Sequence, residues 1–189
     1  MSAAAKIKID RQTLDDLARI DAKAELINGG IVTHVSCGYL PSRVAFRIAR
    51  GLDDFAESTR TGYAFGDNIG FIVPRLRSGR ESFAPDVSIY IGAIPSNPMR
   101  FIEGAPTFAV EVRSENDYGA SAEAEAAAKR LDYFEAGTRV VWDVDPIFKR
   151  ILKYRSDSPL APIAFAPGAI ADADPAVEAW PIEVDRVSI

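Results

Sequence analysis

Asp86 and Glu111 each lie in a stretch that reads as a β-strand, on its less apolar side. In 86–91, a period of two places Val87, Ile89 and Ile91 on one face and Asp86, Ser88 and Tyr90 on the other. In 107–113, the same period groups Phe108, Val110 and Val112, with Ala109, Glu111 and Arg113 opposite. Asp is depleted in strands, and an unpaired carboxylate is costly to bury. If the two strands are neighbours, their carboxylates converge and repel unless positive charge stands between them. A divalent cation would supply that charge: Mg2+ takes oxygen ligands and uses one or two carboxylates while keeping water or phosphate oxygens elsewhere. The residues alone also permit a plainer arrangement, with Asp86 a polar strand-entry residue after Pro85 and Glu111 paired to Arg113 or another arginine.

The rest of the composition removes most other chemistries. His34 and Cys37 are each the single residue of their type among 189, so multi-His zinc sites, multi-Cys zinc sites and disulfides are excluded. A Ser-His-Asp triad would depend on His34 alone, which is expected to be a partly buried, hydrogen-bonded side chain; Cys37 is expected to be a small buried hydrophobe. No P-loop, GxGxxG or HExxH pattern is present. Lys+Arg number 22 and Asp+Glu 27, a net charge of −5, which lowers the expectation of tight nucleic-acid binding without forbidding local basic patches. No apolar run approaches the ~18 residues of a membrane span, and Met1–Lys8 lacks a secretory apolar core, so a cytoplasmic protein without a membrane partner is expected.

The elements that must position the carboxylates can be read from spacing. The length suits a single domain, 1–189, with a helical extension over 1–23 and a proline-rich extended segment over 155–189. Helical spacing around 10–20, with Thr13 as a cap, predicts a short helix there. The run 24–35 predicts a hairpin turning at Asn28-Gly29-Gly30. A helix over 41–55 would bury Val44, Ile48, Leu52 and Phe55, and one over 121–135 would bury Ala124, Ala127, Leu131 and Phe134 before stopping at Gly137. Strands are predicted at 62–65, 69–73, 83–91, 107–113, 140–144 and 150–154, with a last one near 181–187. Trp142 and Tyr133 are expected in the core, and Asp143 and Asp145 outside the site. The pattern points to an α/β (α+β) fold, a mixed sheet flanked by helices.

Several strings together carry a family resemblance. Pro85-Asp86-Val87-Ser88, then Val110-Glu111-Val112-Arg113-Ser114, then Lys129-x3-Tyr133-x3-Gly137 and Val141-Trp142-Asp143-Val144-Asp145-Pro146 resemble the Uma2 family of restriction endonucleases (DUF820-like). That family is a branch of the PD-(D/E)xK nuclease superfamily. Glu25-Leu26-Ile27-Asn28-Gly29-Gly30-Ile31-Val32 resembles its opening hairpin, and Trp180-Pro181-Ile182-Glu183-Val184 its closing strand. The resemblance runs from about Ala24 to Val187 and implies a restriction-endonuclease-like core with an N-terminal β-hairpin.

The resemblance implies a metal-dependent endonuclease that hydrolyses DNA phosphodiester bonds. Asp86 and Glu111 would hold Mg2+ (or Mn2+), with the Val112 backbone carbonyl and, less centrally, Glu25 as further ligands; the cation would act as a Lewis acid on phosphate oxygens. The superfamily's lysine two residues after the acidic residue is here Arg113, which stays protonated and can only donate, as a phosphate clamp or as a holder of Glu111. The resemblance supplies Lys129 from the following helix to orient or deprotonate water, where the plainer reading is a surface lysine. Arg43, Arg47 and Arg50 along one helix and Arg75, Arg77 and Arg80 in one loop could contact DNA phosphates, or simply be solvated. A homodimer would suit cutting two strands. Two other readings stay open: a catalytically inactive nuclease-fold binding or scaffold protein, and a metal-dependent hydrolase of small phosphoesters.

Overall fold

A computed structural model of the chain describes residues 11–187. Helix α1 (Leu14–Leu17) is a single turn held by a reciprocal capping box between Thr13 and Asp16. The longer helix predicted for 10–20 does not form over the described part, because only Leu17 finds burial and Ile20 stays exposed; Asp10 lies outside the described residues. Strands β1 (Ala24–Ile27) and β2 (Gly30–Thr33) form the predicted hairpin, with Asn28 at φ 55° and Gly29 at φ 77°. A two-residue turn of this hand needs positive φ at both positions. Helix α2 (Tyr39–Thr59) is longer than predicted at both ends and buries Val44, Ile48, Leu52 and Ala56. Pro41 sits in its first turn, where a missing N–H costs no helical hydrogen bond.

Strands β3 (Tyr63–Phe65) and β4 (Phe71–Ile72) follow. The single strand predicted over 83–91 is instead two, β5 (Ser82–Phe83) and β6 (Val87–Tyr90), in different sheets. Pro85 separates them, since it cannot donate to a ladder. Then come β7 (Ile102–Glu103), β8 (Phe108–Val112), α3 (Ala120–Ala136), β9 (Val140–Asp145) and β10 (Arg150–Arg155). The C-terminal part is more regular than an extended segment: β11 (Ser158–Phe165) joins the main sheet and β12 (Ile170–Ala173) pairs with β13 (Val177–Glu183). The last predicted strand gives way at Val184 to one helical turn, α4 (Val184–Val187).

The main sheet has six strands in the order β11-β10-β9-β8-β6-β3. It is mixed: β8 and β9 are parallel, joined by the α3 crossover, and the other pairs are antiparallel. One face is apolar. Val87, Ile89, Phe108, Val110, Trp142 and Val144 pack there against α2 and the β12–β13 hairpin. Trp142 and Trp180 stack at 5.4 Å between ring centroids, and each indole N–H donates to a backbone carbonyl, of Asp172 and Gly51 respectively.

The other face is covered by α3, and its packing differs from expectation. The helix buries Arg130, Asp132 and Tyr133, whereas Leu131 is exposed and Ala124 lies at the surface. The sheet beneath carries Glu111 and Asp143 in register, so burying the helix's cationic and hydroxyl-bearing face compensates carboxylates that an alanine–leucine face could not.

Candidate active site

Register brings the two carboxylates together. Val87 pairs with Val110 across β6–β8, so the next residues outward, Asp86 and Glu111, are opposite each other. The Asp86 N–H donates to Val110 O at 3.2 Å, and Val112 N–H donates to Asp86 Oδ2 at 2.8 Å. On the far side of β8, the parallel register sets Asp143 beside Glu111. Three neighbouring strands thus present carboxylates in a row on the α3 side.

Two lysines cross this row. Lys129 Nζ on α3 lies 2.9 Å from Glu111 Oε1 and 3.2 Å from Glu25 Oε1. Tyr133, one helical turn on, donates its hydroxyl to the same Glu111 Oε1 at 2.6 Å. Among the described residues no donor meets Glu111 Oε2. The second lysine, Lys23, immediately precedes β1; its Nζ stands 2.5 Å from Asp86 Oδ1 and 2.7 Å from Asp67 Oδ1. Lys23 and Glu25, two apart along the hairpin, therefore reach into the cleft at Asp86 and Lys129 respectively.

Glu25 is buried and occupied on both oxygens. Oε1 accepts the Ala84 N–H at 2.9 Å as well as facing Lys129, and Oε2 accepts from Arg80 at 2.5 Å with His34 Nε2 at 3.5 Å. Arg80 also donates to Asp132 on α3 at 2.9 Å. Arg80 was expected as a possible phosphate contact, but it is 7% exposed and committed to these carboxylates. The hairpin places it, because Asn28 N–H bonds Gly79 O and Ile27 bridges to Arg80.

Charge in the site is unevenly balanced. Burial pushes the Glu111 carboxyl up, and Asp86 and Glu25 push it further, against the pull of Lys129 and the Tyr133 hydroxyl; the net shift is upward although its side chain is still 28% exposed at the cleft floor. For Glu25, burial also pushes up, but Lys129, His34, Arg80 and the Ala84 N–H outweigh it and hold the group well below the usual carboxylate range. Burial would lower Lys129, yet Glu111 and Glu25 raise it. Lys129 thus stands between two carboxylates that favour its charged form. Lys23 likewise overcomes its burial through Asp86 and Asp67 and is raised.

Arg113 departs from both roles expected of it. Its Nε and one terminal nitrogen grip Asp143 at 2.6 and 2.8 Å, and its two terminal nitrogens hold Glu123 on α3. It does not hold Glu111 and, at 7% exposure, offers no open face to a phosphate. Arg130 adds a bond to Asp143 at 2.9 Å, so Asp143, left out of the site by sequence reasoning, is the anchor that fixes α3 over the sheet. Cys37, expected in the core, is exposed.

The remaining arginines are scattered. Arg43 is exposed with its guanidinium 5.5 Å from the Phe46 ring, Arg47 donates to Arg186 O at 3.2 Å, and Arg50 lies 4.0 Å from Asp54. Arg75 bonds Asn28 and Arg77 bonds Glu135. Sequence reasoning missed Lys23, Asp143 and the Tyr133 hydroxyl. The alternation of Lys23 with Glu25 along a strand was a usable signal for the first; the parallel register that places Asp143 was not.

The carboxylates and lysines line one cleft of about 1180 Å3, whose lining includes Lys23, Asp86, Glu111 and Lys129 together with Phe46 and Tyr118. Among the described residues no cluster of three or more His, Cys, Asp or Glu side chains has metal-binding geometry. Two carboxylates and backbone oxygen still match what Mg2+ asks of a protein. Asp86 and Glu111 face each other across β6–β8 and both line the cleft, so the residues fit a hard divalent cation. Among the described residues no helix is long and apolar enough to cross a membrane.

Comparison with known proteins agrees with this arrangement at the level of fold. The Uma2 family model, described as "Putative restriction endonuclease", matches residues 11–185. Among solved structures, the chain is similar to a "putative nuclease belonging to DUF820" from Anabaena variabilis ATCC 29413. The two are 20% identical with a TM-score of 0.72, over 93% of this chain and 96% of that one. A search of curated proteins finds no match.

Proposed function

The chain belongs to the Uma2 family, and on that premise we propose that it is a metal-dependent endonuclease hydrolysing DNA phosphodiester bonds at the Asp86–Glu111 pair. The observation that carries the reading is the meeting of those carboxylates across β6–β8 with Lys129 standing on Glu111 at 2.9 Å. Asp86 and Glu111 would hold Mg2+ or Mn2+, with the Val112 carbonyl as a third oxygen. When bound, such a cation supplies Lewis-acid polarisation of a phosphate oxygen and makes water more acidic.

The chain's own groups divide the remaining work. Lys129, kept charged by Glu111 and Glu25, donates to the scissile phosphate or to the departing oxygen and offsets charge that builds there. Tyr133 fixes the Glu111 carboxylate by occupying Oε1, which leaves Oε2 for the cation. Glu25 acts through Lys129 as a positioning residue, since both its oxygens are engaged. Arg113, through Asp143 and Glu123, holds α3 and with it Lys129. Arg43, Arg50 and Arg77 are exposed and could meet backbone phosphates, and a homodimer matching the two strands of a duplex belongs to the same proposal.

A binding or scaffold role without catalysis is favoured by a Lys129 that faces solvent; here its side chain is 19% exposed and turned to the carboxylates. Hydrolysis of a small phosphoester is favoured by a closed site. The cleft of about 1180 Å3 is larger than ordinary small-molecule pockets of roughly 300–1,000 Å3.

The test is cleavage of supercoiled, linear, single-stranded and branched DNA with Mg2+, Mn2+ or EDTA, by the wild type, Glu111→Gln and Lys129→Met. We expect metal-dependent cutting by the wild type, none by Glu111→Gln, and a rate about 10²-fold lower for Lys129→Met. Equal cutting by all three folded proteins, or none by the wild type on any form, overturns the reading.

A further inference from the structure

Lys23 is unexplained by any role assigned so far. Asp86 has two oxygens, and Val112 N–H takes Oδ2. Oδ1 is the Asp86 oxygen that no backbone N–H occupies, and Lys23 Nζ sits 2.5 Å from it. The lysine backbone is tied to the hairpin, its carbonyl accepting the His34 N–H at 2.8 Å. The same Nζ is 2.7 Å from Asp67 Oδ1, on the segment between β3 and β4, where Asp67 is half exposed.

We propose that Lys23 is a tethered counter-ion of the cation position, resting on Asp86 when the site is empty and withdrawing to Asp67 alone when a divalent cation arrives. This inference rests on the reading of Asp86 and Glu111 as cation ligands. A lysine ammonium and a divalent ion cannot share one carboxylate oxygen, because three positive charges within a few ångströms repel strongly in a partly buried site. Without metal, the ammonium relieves the repulsion between Asp86 and Glu111, which keeps the paired carboxylates compatible with the fold. Asp67 lets the lysine give up Asp86 without losing every partner. The two carboxylates around Lys23 thus have different tasks: Asp86 is shared with the cation, and Asp67 receives the lysine.

The consequence is a competition whose sign differs between two neighbouring substitutions. Removing the ammonium in Lys23→Met leaves Asp86 Oδ1 free and takes away a competitor, so divalent affinity rises on the order of 10-fold. Asp67→Asn removes the receiving carboxylate, holds the lysine on Asp86 and weakens affinity by a similar factor. A lysine that merely braced the fold would move affinity the same way in both variants, or not at all.

The experiment is calorimetric titration of Mg2+ and of Mn2+ into the protein without DNA, for the wild type, Lys23→Met, Asp67→Asn and Glu111→Gln, each checked for folding by circular dichroism. Tighter binding in Lys23→Met with weaker binding in Asp67→Asn supports the inference. Wild-type binding that Glu111→Gln abolishes but Lys23→Met leaves unchanged or weakens overturns it and spares the cation site. Absence of binding in every protein overturns both. A second measurement needs no variant: the rate of Lys23 acetylation in the wild type, followed by mass spectrometry. It rises with Mg2+ if the ammonium leaves Asp86, and a constant rate overturns the inference even should Lys23→Met fail to fold.

Discussion

The two faces of the six-stranded sheet are built on opposite principles. Beneath α2 and the C-terminal hairpin, Val87, Val110, Trp142 and their neighbours form a mainly apolar core, in which the indole N–H groups bond carbonyls and the buried Lys153 pairs with Asp172 of β12 at 2.6 Å. Beneath α3, the same strands present Asp86, Glu111 and Asp143, and the helix answers with Lys129, Arg130 and Tyr133. The difference teaches where stability and chemistry are kept apart. Burying aromatic area on one face stabilises the sheet, which leaves the other free to hold carboxylates that a core would not tolerate. Even there the row is graded. Asp143 is neutralised by two arginines and serves as structure, while Asp86 and Glu111 line the cleft, each with a lysine as its charged partner.

The largest effect that probes this division is on the dry face. Trp142→Ala removes a fully buried ring stacked on Trp180 and packed edge-on to Phe108 at 5.1 Å. It should destabilise the protein by about 3–5 kcal/mol in urea unfolding, while the folded fraction keeps its divalent affinity. A small stability loss, or a loss of metal binding in the folded protein, would break the separation of the two faces.

The dry face was also the more legible one in the sequence. Val44, Ile48 and Leu52 at intervals of four, and Val87 and Ile89 alternating with polar residues, declare their side by period alone. The polar face was legible only where a carboxylate interrupted such alternation, as at Glu111. The α3 face was misread because Leu131 and the alanines suggest an apolar stripe, and the decisive fact is what the sheet presents to the helix. Arg113 and Asp143 are 30 residues apart and meet through parallel β8–β9 pairing. No local pattern encodes that contact. Lys23 and Arg80 depend in the same way on how the N-terminal hairpin docks.

A smaller effect sharpens the contrast within the polar face. Glu25 and Glu111 share Lys129 but shift in opposite directions. Glu25, depressed on folding, contributes stability that is present above its ordinary value of 4.5 and is lost as pH falls through its folded value. Glu111, raised on folding, binds its proton more tightly in the native state, so its contribution is present below 4.5 and is lost as pH rises through its folded value. In metal-free urea unfolding, Glu111→Gln should therefore gain stability relative to the wild type as pH rises above 4.5. Glu25→Gln should instead lose stability relative to the wild type as pH rises toward 4.5, with the deficit constant above that value. Parallel behaviour of the two variants would show that the carboxylates are not differently balanced.

The central claim is that Asp86 and Glu111 form one cation position, and the melting temperature as Mg2+ is added tests it without reference to any DNA. For the wild type, the melting temperature should climb with Mg2+ as expected of a ligand that binds only the native state. The Asp86→Asn, Glu111→Gln double variant should melt at or above the metal-free wild-type temperature and stay there at every Mg2+ concentration. A double variant that climbs in step with the wild type would contradict the account.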